Sequence, residues 1–178
     1  MPGRLERIDS SSGFTVLIDY AHKPDALKQV LQNLAEFKKK RIITVFGCGG
    51  NRDTGKRPLM GETATFYSDL TIVTSDNPRL EDPLAITAEI ETGIDRSKIQ
   101  KIASDNLKVL NDTHSYTVIS ERRKAIETAI NVAKQGDIIL IAGKGHEDYQ
   151  ILGTNKIPFD DRVVVEQTLK LKESSTVN

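Results

Sequence analysis

Short apolar runs alternate along the chain with longer stretches in which apolar residues recur every three or four positions. FTVLID at 14–19, RIITVF at 41–46, LTIVT at 70–74, the run Tyr116–Ser120 and DIILIA at 137–142 have strand length and little polar interruption. That is the pattern of strands buried on both faces. Between them, Pro24 opens a helix with Leu27, Val30, Leu31 and Leu34 on one side. Further helices are expected from Pro58 and Pro83, and one carries Ile126, Ala129, Ile130 and Ala133. Strand alternating with helix is the rhythm of a parallel sheet. Tyr149–Leu152 and Lys156–Phe159, around Gly153–Asn155, read as a short hairpin. Asp160–Asp161 read as the start of a last helix, where carboxylates are favoured, rather than as an acid–base pair. Glu173–Asn178 reads as a polar tail that frays. Asp95–Ser115 is weakly periodic and reads as a helical excursion. The expected architecture is α/β: a Rossmann-like, mostly parallel sheet with helices on both faces and a short C-terminal β-hairpin, in one domain spanning 1–178.

Charge narrows the partners. Twenty-five basic residues balance twenty-five acidic ones, so nothing favours nucleic acid or an anionic membrane. No apolar run has the length of a membrane span, and Met1–Ser12 lacks the apolar stretch of a signal peptide. Cys48 is the single cysteine, so no internal disulfide forms and a cytoplasmic setting is expected. Lying between glycines, Cys48 reads as a small residue that fits rather than as a nucleophile.

GGNRDTGKRP at 49–58 nearly matches the phosphate-binding pattern G-x-x-x-x-G-K-[ST]. The match fails where it matters, because Arg57 stands where a hydroxyl would ligate Mg²⁺. What remains is a glycine loop feeding a helix N-terminus, an anion-friendly place. Ligands of open α/β sheets bind outside the carboxyl ends of the strands. That rule gathers DYAHKPD, GCGGNRDTGKRP, SDNPR and GKGHEDYQ on one rim, with Asp19, His22, Arg52, Lys56, Asn77, Arg79, Lys144, His146 and Glu147. Guanidinium forks for carboxylates or phosphates, a carboxylate for an ammonium, and glycines that admit close backbone approach suit an anion or a zwitterion. Plainer readings stand beside these. His22 is placed either to cap the helix near Pro24 or to touch a ligand. Arg79 is placed either for a ligand or to pair with Glu81 or Asp82 at the surface. His146 and Glu147 lack metal-ligand spacing to His114.

GRLERI, DYAHKPDAL, FGCGGNRDTGKRPLMG, TSDNPR and AGKGHEDYQI, in this order, resemble the C-terminal domain of the Mur ligases. The likeness is to the members that add the third residue to the UDP-N-acetylmuramoyl-dipeptide precursor of peptidoglycan. The resemblance runs from Gly3 to about Leu169. It implies a three-domain ATP-dependent ligase of which this chain is the third domain, without the N-terminal UDP-binding domain or the central ATPase domain. The P-loop and Mg²⁺ sites would belong to that central domain. Residue by residue, it implies that Arg4, Asp19 and His22 contact nucleotide. Arg52, Asn77, Arg79, Gly143 and Glu147 are implied as the amino-acid site, with no catalytic residue and no metal ligand in this chain. In the family, DNPR marks enzymes that add meso-2,6-diaminopimelate, and lysine-adding relatives lack its arginine. The chemistry agrees, since a fork grips a second carboxylate and repels an ammonium. Asn51 departs from the pattern, standing where the family often has an acidic residue. The implied cofactors are ATP and Mg²⁺. The implied partners are diaminopimelate, ATP and, through the other domains, UDP-N-acetylmuramoyl-dipeptide, and the chain alone is expected to be inactive. The alternative is a stand-alone nucleotide- or phosphate-binding regulatory module, against which the missing hydroxyl after Lys56 counts.

Overall fold

Each apolar run becomes a strand, and each amphipathic stretch a helix laid against it. The computed structural model describes residues 4–108 and 114–177. In chain order it contains β1 (Glu6–Asp9), β2 (Thr15–Asp19), α1 (Pro24–Phe37), β3 (Ile42–Phe46), α2 (Lys56–Tyr67), β4 (Leu70–Val73) and α3 (Pro83–Glu91). Then follow β5 (Gln100–Lys101), β6 (Ser115–Val118), α4 (Arg122–Val132), β7 (Ile138–Ala142), β8 (Tyr149–Leu152), β9 (Asn155–Pro158) and α5 (Asp161–Thr176). A seven-stranded sheet runs β1-β2-β7-β3-β4-β6-β5, and β8 and β9 pair separately. Neighbours from β2 to β5 are parallel, and β1 is antiparallel to β2. This is the mostly parallel α/β fold expected, with the C-terminal hairpin.

Side-chain alternation along the strands feeds two cores. Val16, Ile18, Ile43, Val45, Ile139 and Ile141 pack with Ala125, Ile126, Ala129 and Ile130 of α4 and Val164, Val165 and Leu169 of α5. On the other face, Ile42, Phe46, Leu140 and Ala142 pack with Leu27, Leu31 and Leu34 of α1, Met60 and Ala64 of α2, and Ile86 and Ile90 of α3. The Asp82 and Asp160 side chains cap α3 and α5, accepting from Leu84 N and Arg162 N.

Four features depart from the pattern-based expectation. β1 (ERID) is polar and half-exposed, as an edge strand is allowed to be, so no apolar run announces it. The helical excursion is replaced, over 95–108, by the two-residue strand β5 and a short 3₁₀ turn at Ser104–Asn106; residues 109–113 of that stretch lie outside the described residues. Burial of Ile99 and Ile102 on either side of β5 fixes this edge. α2 starts at Lys56, two residues before Pro58, which falls in the first turn, where its missing N–H removes no intrahelical bond. α5 continues through the polar tail to Thr176. There Ser174, Ser175 and Thr176 donate their hydroxyls to carbonyls four residues earlier.

Candidate functional site

The loops leaving the carboxyl ends of β2, β3, β4 and β7 meet around one cavity of about 1020 Å³. Two of these loops are fastened to each other. Gly50 N donates to Asn77 O at 2.8 Å, Arg79 Nη1 to Gly50 O at 2.9 Å, and Leu80 N to Asn51 Oδ1 at 3.0 Å. Asn51 N donates to Glu81 Oε1 at 2.6 Å. A Cβ on Gly50 would stand 1.8 Å from Pro78 O, so this approach requires glycine.

Arg57 lies beneath the junction with its side chain fully buried. Its Nη2 donates to Gly49 O at 3.1 Å and Glu81 Oε1 at 3.0 Å, and its Nη1 to Glu89 Oε2 at 3.0 Å. The bonds from Arg57 and from Asn51 N hold the Glu81 carboxyl below the usual carboxylate range. The cation that replaces the P-loop hydroxyl is thus a brace between loops, tied to carboxylates 24 and 32 residues away. No local spacing could reveal that role.

Asn51 and Arg79 both adopt left-handed backbone, at φ 52° and 53°. Asparagine tolerates this region; arginine is uncommon there, and such outliers cluster at functional sites. The Arg79 guanidinium is half-buried and spends Nη1 on the Gly50 carbonyl. Among the described residues it has no carboxylate partner, so the expected alternative of pairing with Glu81 or Asp82 does not occur: Arg57 takes Glu81. Arg52 also lines the cavity, exposed, and likewise has no carboxylate partner among the described residues.

Across the cavity, the loop after β7 places Gly143 (φ 114°) and Glu147. Lys144 is fully buried between the site loops. Its Nζ donates to Tyr149 O at 2.7 Å, to Asn77 Oδ1 at 2.9 Å and to Glu147 Oε2 at 3.3 Å. It also lies 3.3 Å from Asp76 Oδ1. Asn77 Nδ2 donates to the same Glu147 oxygen at 3.3 Å. One buried ammonium therefore sets Glu147 and Asn77 together.

A family model described as Mur ligase, glutamate ligase domain, matches residues 3–145. The chain belongs to the Mur ligase family. The UDP-N-acetylmuramoyl-L-alanyl-D-glutamate–2,6-diaminopimelate ligase of Geobacter metallireducens is 56% identical over 162 residues, which is 91% of this chain and 32% of that protein. The ligase of the same name from Syntrophomonas wolfei is 50% identical over 172 residues, 97% of this chain and again 32% of the relative. A solved structure of a ligase of this name superimposes with TM-score 0.83 at 40% identity, covering 97% of this chain and 32% of that one. The chain thus spans 32% of the length of these relatives.

Of the residues that the Mur ligase resemblance singled out, His22, Arg52, Asn77, Arg79, Gly143 and Glu147 line one cavity, and Arg4 and Asp19 stand outside its lining. Asp19 Oδ2 accepts from Leu5 N at 2.9 Å, and Oδ1 from Ala21 N at 2.8 Å. It fastens the segment after Arg4 to the end of β2, while Arg4 itself is exposed. His22 does not cap α1: the capping position is Lys23, without a side-chain bond, and His22 Nδ1 lies 3.0 Å from Tyr20 O.

The glycine loop is not an open anion cradle. Gly55 N already donates to Asp53 Oδ1 at 2.9 Å, and Lys56 Nζ donates to His22 O at 2.8 Å. Burial pushes the Cys48 thiol up to about 12, which leaves it unreactive, a small residue in the core. Among the described residues, no three His, Cys, Asp or Glu side chains gather in a way that could hold a metal. Among the described residues the rim carboxylates Asp76 and Glu147 face the Lys144 ammonium, and both Asp19 oxygens accept backbone N–H groups.

Proposed function

We propose that this chain is the amino-acid-binding domain of an ATP-dependent ligase that joins meso-2,6-diaminopimelate to UDP-N-acetylmuramoyl-L-Ala-D-Glu in peptidoglycan synthesis. One observation carries the reading. The cavity holds two guanidinium groups, Arg52 and Arg79, with no carboxylate partner among the described residues, opposite the carboxylate of Glu147. Arg79, half-buried, has given up part of its hydration without an acidic partner, a cost that an anionic ligand would offset, and exposed Arg52 is free to meet a second anionic group. Diaminopimelate supplies carboxylates for the two forks and an ammonium for Glu147. Lysine would bring an ammonium toward Arg79, a repulsive placement. The names of the relatives agree with this assignment.

In such a ligase, ATP converts the dipeptide's terminal carboxylate to an acyl phosphate, and the amine displaces phosphate to form the amide. This domain's contribution is to hold and orient the amine. Positioning converts a bimolecular attack into an effectively unimolecular one. Closure over the other domains excludes water from the reactive acyl group. Lys144 and Asn77 fix Glu147, and the Gly50–Pro78 contact fixes the two guanidinium-bearing loops, so the pocket needs little rearrangement on binding. Arg4, Asp19 and His22 remain the proposed nucleotide contacts. Each Asp19 oxygen accepts one backbone N–H and keeps lone-pair capacity for one further donor. The chain by itself, without the ATPase domain, is proposed to be inactive.

Calorimetry of the chain with diaminopimelate, L-lysine and ATP tests the reading. Selective binding of diaminopimelate is expected. Arg79→Ala should weaken it by about ten- to a hundredfold, the worth of hydrogen bonds to a charged group. Equal binding of lysine, or indifference to Arg79→Ala, overturns the assignment. Binding of ATP but of neither amino acid favours the regulatory-module reading instead. Amide formation from ATP by the isolated chain refutes the proposed division of labour.

A further inference from the structure

The family model ends at residue 145, and the β8–β9 hairpin begins just beyond it at Tyr149. The hairpin pairs with no strand of the main sheet. It pairs instead with the loop that carries Arg79. Arg79 N donates to Ile151 O at 3.1 Å, and Gly153 N to Arg79 O at 2.7 Å, a parallel bridge on Leu152. Two further bonds run along the same loop. Ile151 N donates to Asn77 Oδ1 at 3.0 Å, and the buried Gln150 Nε2 to Asp76 O at 2.8 Å. The DNPR loop is thereby built onto β8 as an extra strand, and Arg79 is held at both its N–H and its carbonyl. That grip matters because Arg79 sits in left-handed backbone that an arginine leaves when unconstrained.

We propose that the β8–β9 hairpin is the specificity-determining element of the site. By clamping the backbone of Arg79 it sets where the guanidinium stands, and so selects an amine bearing a second carboxylate over one ending in an ammonium. This rests on the function proposed above. Of the hairpin's own residues only Tyr149 lines the cavity; Gln150 and Gly153 stand outside it and act through Arg79 and Asn77, so they are positioning residues. Selectivity should follow their hydrogen bonds even where general affinity does not.

Two variants open the clamp by different routes. Gly153→Pro removes the N–H that holds the Arg79 carbonyl, and proline cannot adopt the φ of 62° found there. Gln150→Met keeps the volume and removes the donor to Asp76 O. Gly153→Asn retains the N–H, asparagine tolerates the φ of 62°, and a Cβ there would meet nothing within 4 Å. Thr154→Ala, at the exposed tip, is the control. Equilibrium dialysis of the chain with labelled meso-2,6-diaminopimelate and L-lysine gives the ratio of the two dissociation constants. Thermal midpoints confirm that each variant is folded.

The ratio is expected to fall about tenfold in Gly153→Pro and severalfold in Gln150→Met, with the lysine constant moving less than about twofold. Gly153→Asn and Thr154→Ala should keep it near wild type. A merely structural hairpin would weaken both amino acids together. If the two clamp variants keep the wild-type ratio while Arg79→Ala loses it, the inference is wrong and the proposed function stands. If Arg79→Ala keeps it too, the proposed function falls. A wild-type chain without preference overturns both.

Discussion

Removing the carboxylate of Asp161 should damage the fold and the site together. Asp161 opens α5, and its two oxygens receive Arg122 Nε at 2.8 Å and Nη2 at 2.7 Å, with both side chains fully buried. The same guanidinium donates to Ser75 O and Ala142 O, each at 3.2 Å. These carbonyls lie where the loops carrying Asn77 and Gly143 begin. Asp161→Ala leaves a buried cation with only two neutral acceptors. Breaking a buried ion pair from one side costs about 3–5 kcal/mol. For a domain of this size each kcal/mol lowers the melting temperature by about 2–4 °C, so a fall of roughly 6–20 °C is expected. Arg122→Met with Asp161→Leu fills similar volume without charge and should recover most of the loss, since apolar replacement of a buried pair is often neutral. Urea titration of the wild type, both single variants and the double variant gives the coupling by a thermodynamic cycle. A single-variant loss below about 1 kcal/mol, or a double variant no better than Asp161→Ala, would refute the reasoning, because the pair would then be solvated or dispensable.

Three further outcomes follow. Gly50→Ala sets a methyl group against Pro78 O and should separate the two guanidinium-bearing loops, destabilising the fold by about 1–3 kcal/mol and abolishing amino-acid selectivity; unchanged melting and binding would show that the loops yield. Cys48, with its thiol pushed up to about 12 by burial, should resist iodoacetamide at pH 8 in the native protein and react at once in denaturant, as mass spectrometry would record. Glu81 has its carboxyl lowered by Arg57 and Asn51 N, so its contribution to stability is complete above the unfolded value near 4.5 and is lost as pH falls through the lower folded value. Glu81→Gln should therefore flatten the acid limb of stability against pH below about 4.5, and an unaltered limb would place the acid sensitivity elsewhere.

The central strands were legible because their burial leaves little polar interruption in FTVLID, RIITVF and DIILIA. The helices were legible from their stripes and from Pro24 and Pro83. β1 and β5 escaped because edge strands face solvent and carry the polar residues of loops. The rim residues were legible from the rule that loops at strand carboxyl ends bind ligands, which brought Arg52, Arg79 and Glu147 to one cavity. The braces beneath them were not. Arg57 read as a cation that spoils a metal site, and Lys144 as one more rim charge; both are fully buried and bonded to residues of distant loops. Burial of a charge depends on which loops converge above it, and no local periodicity encodes that. Nor could the left-handed backbone of Arg79 be read, since two hydrogen bonds shared with Ile151 and Gly153 of a hairpin far along the chain hold it there.

The place of β7 has a consequence for how the chain comes together. Ile138–Ala142 lie between β2 and β3, so on the side away from β1 Thr15 finds its partner only at Ile138. Until that late segment leaves the ribosome, the first and second halves of the sheet have no common neighbour, and each presents a bare edge open to mispairing. Assembly must wait for this long-separation contact, which makes it slow relative to a helical protein of equal size. A nascent chain stalled before Asp137 would be a pair of sheet fragments and prone to aggregate; one extended past Ala142 would gain the strand that joins them, and with it the rim that the ligand needs.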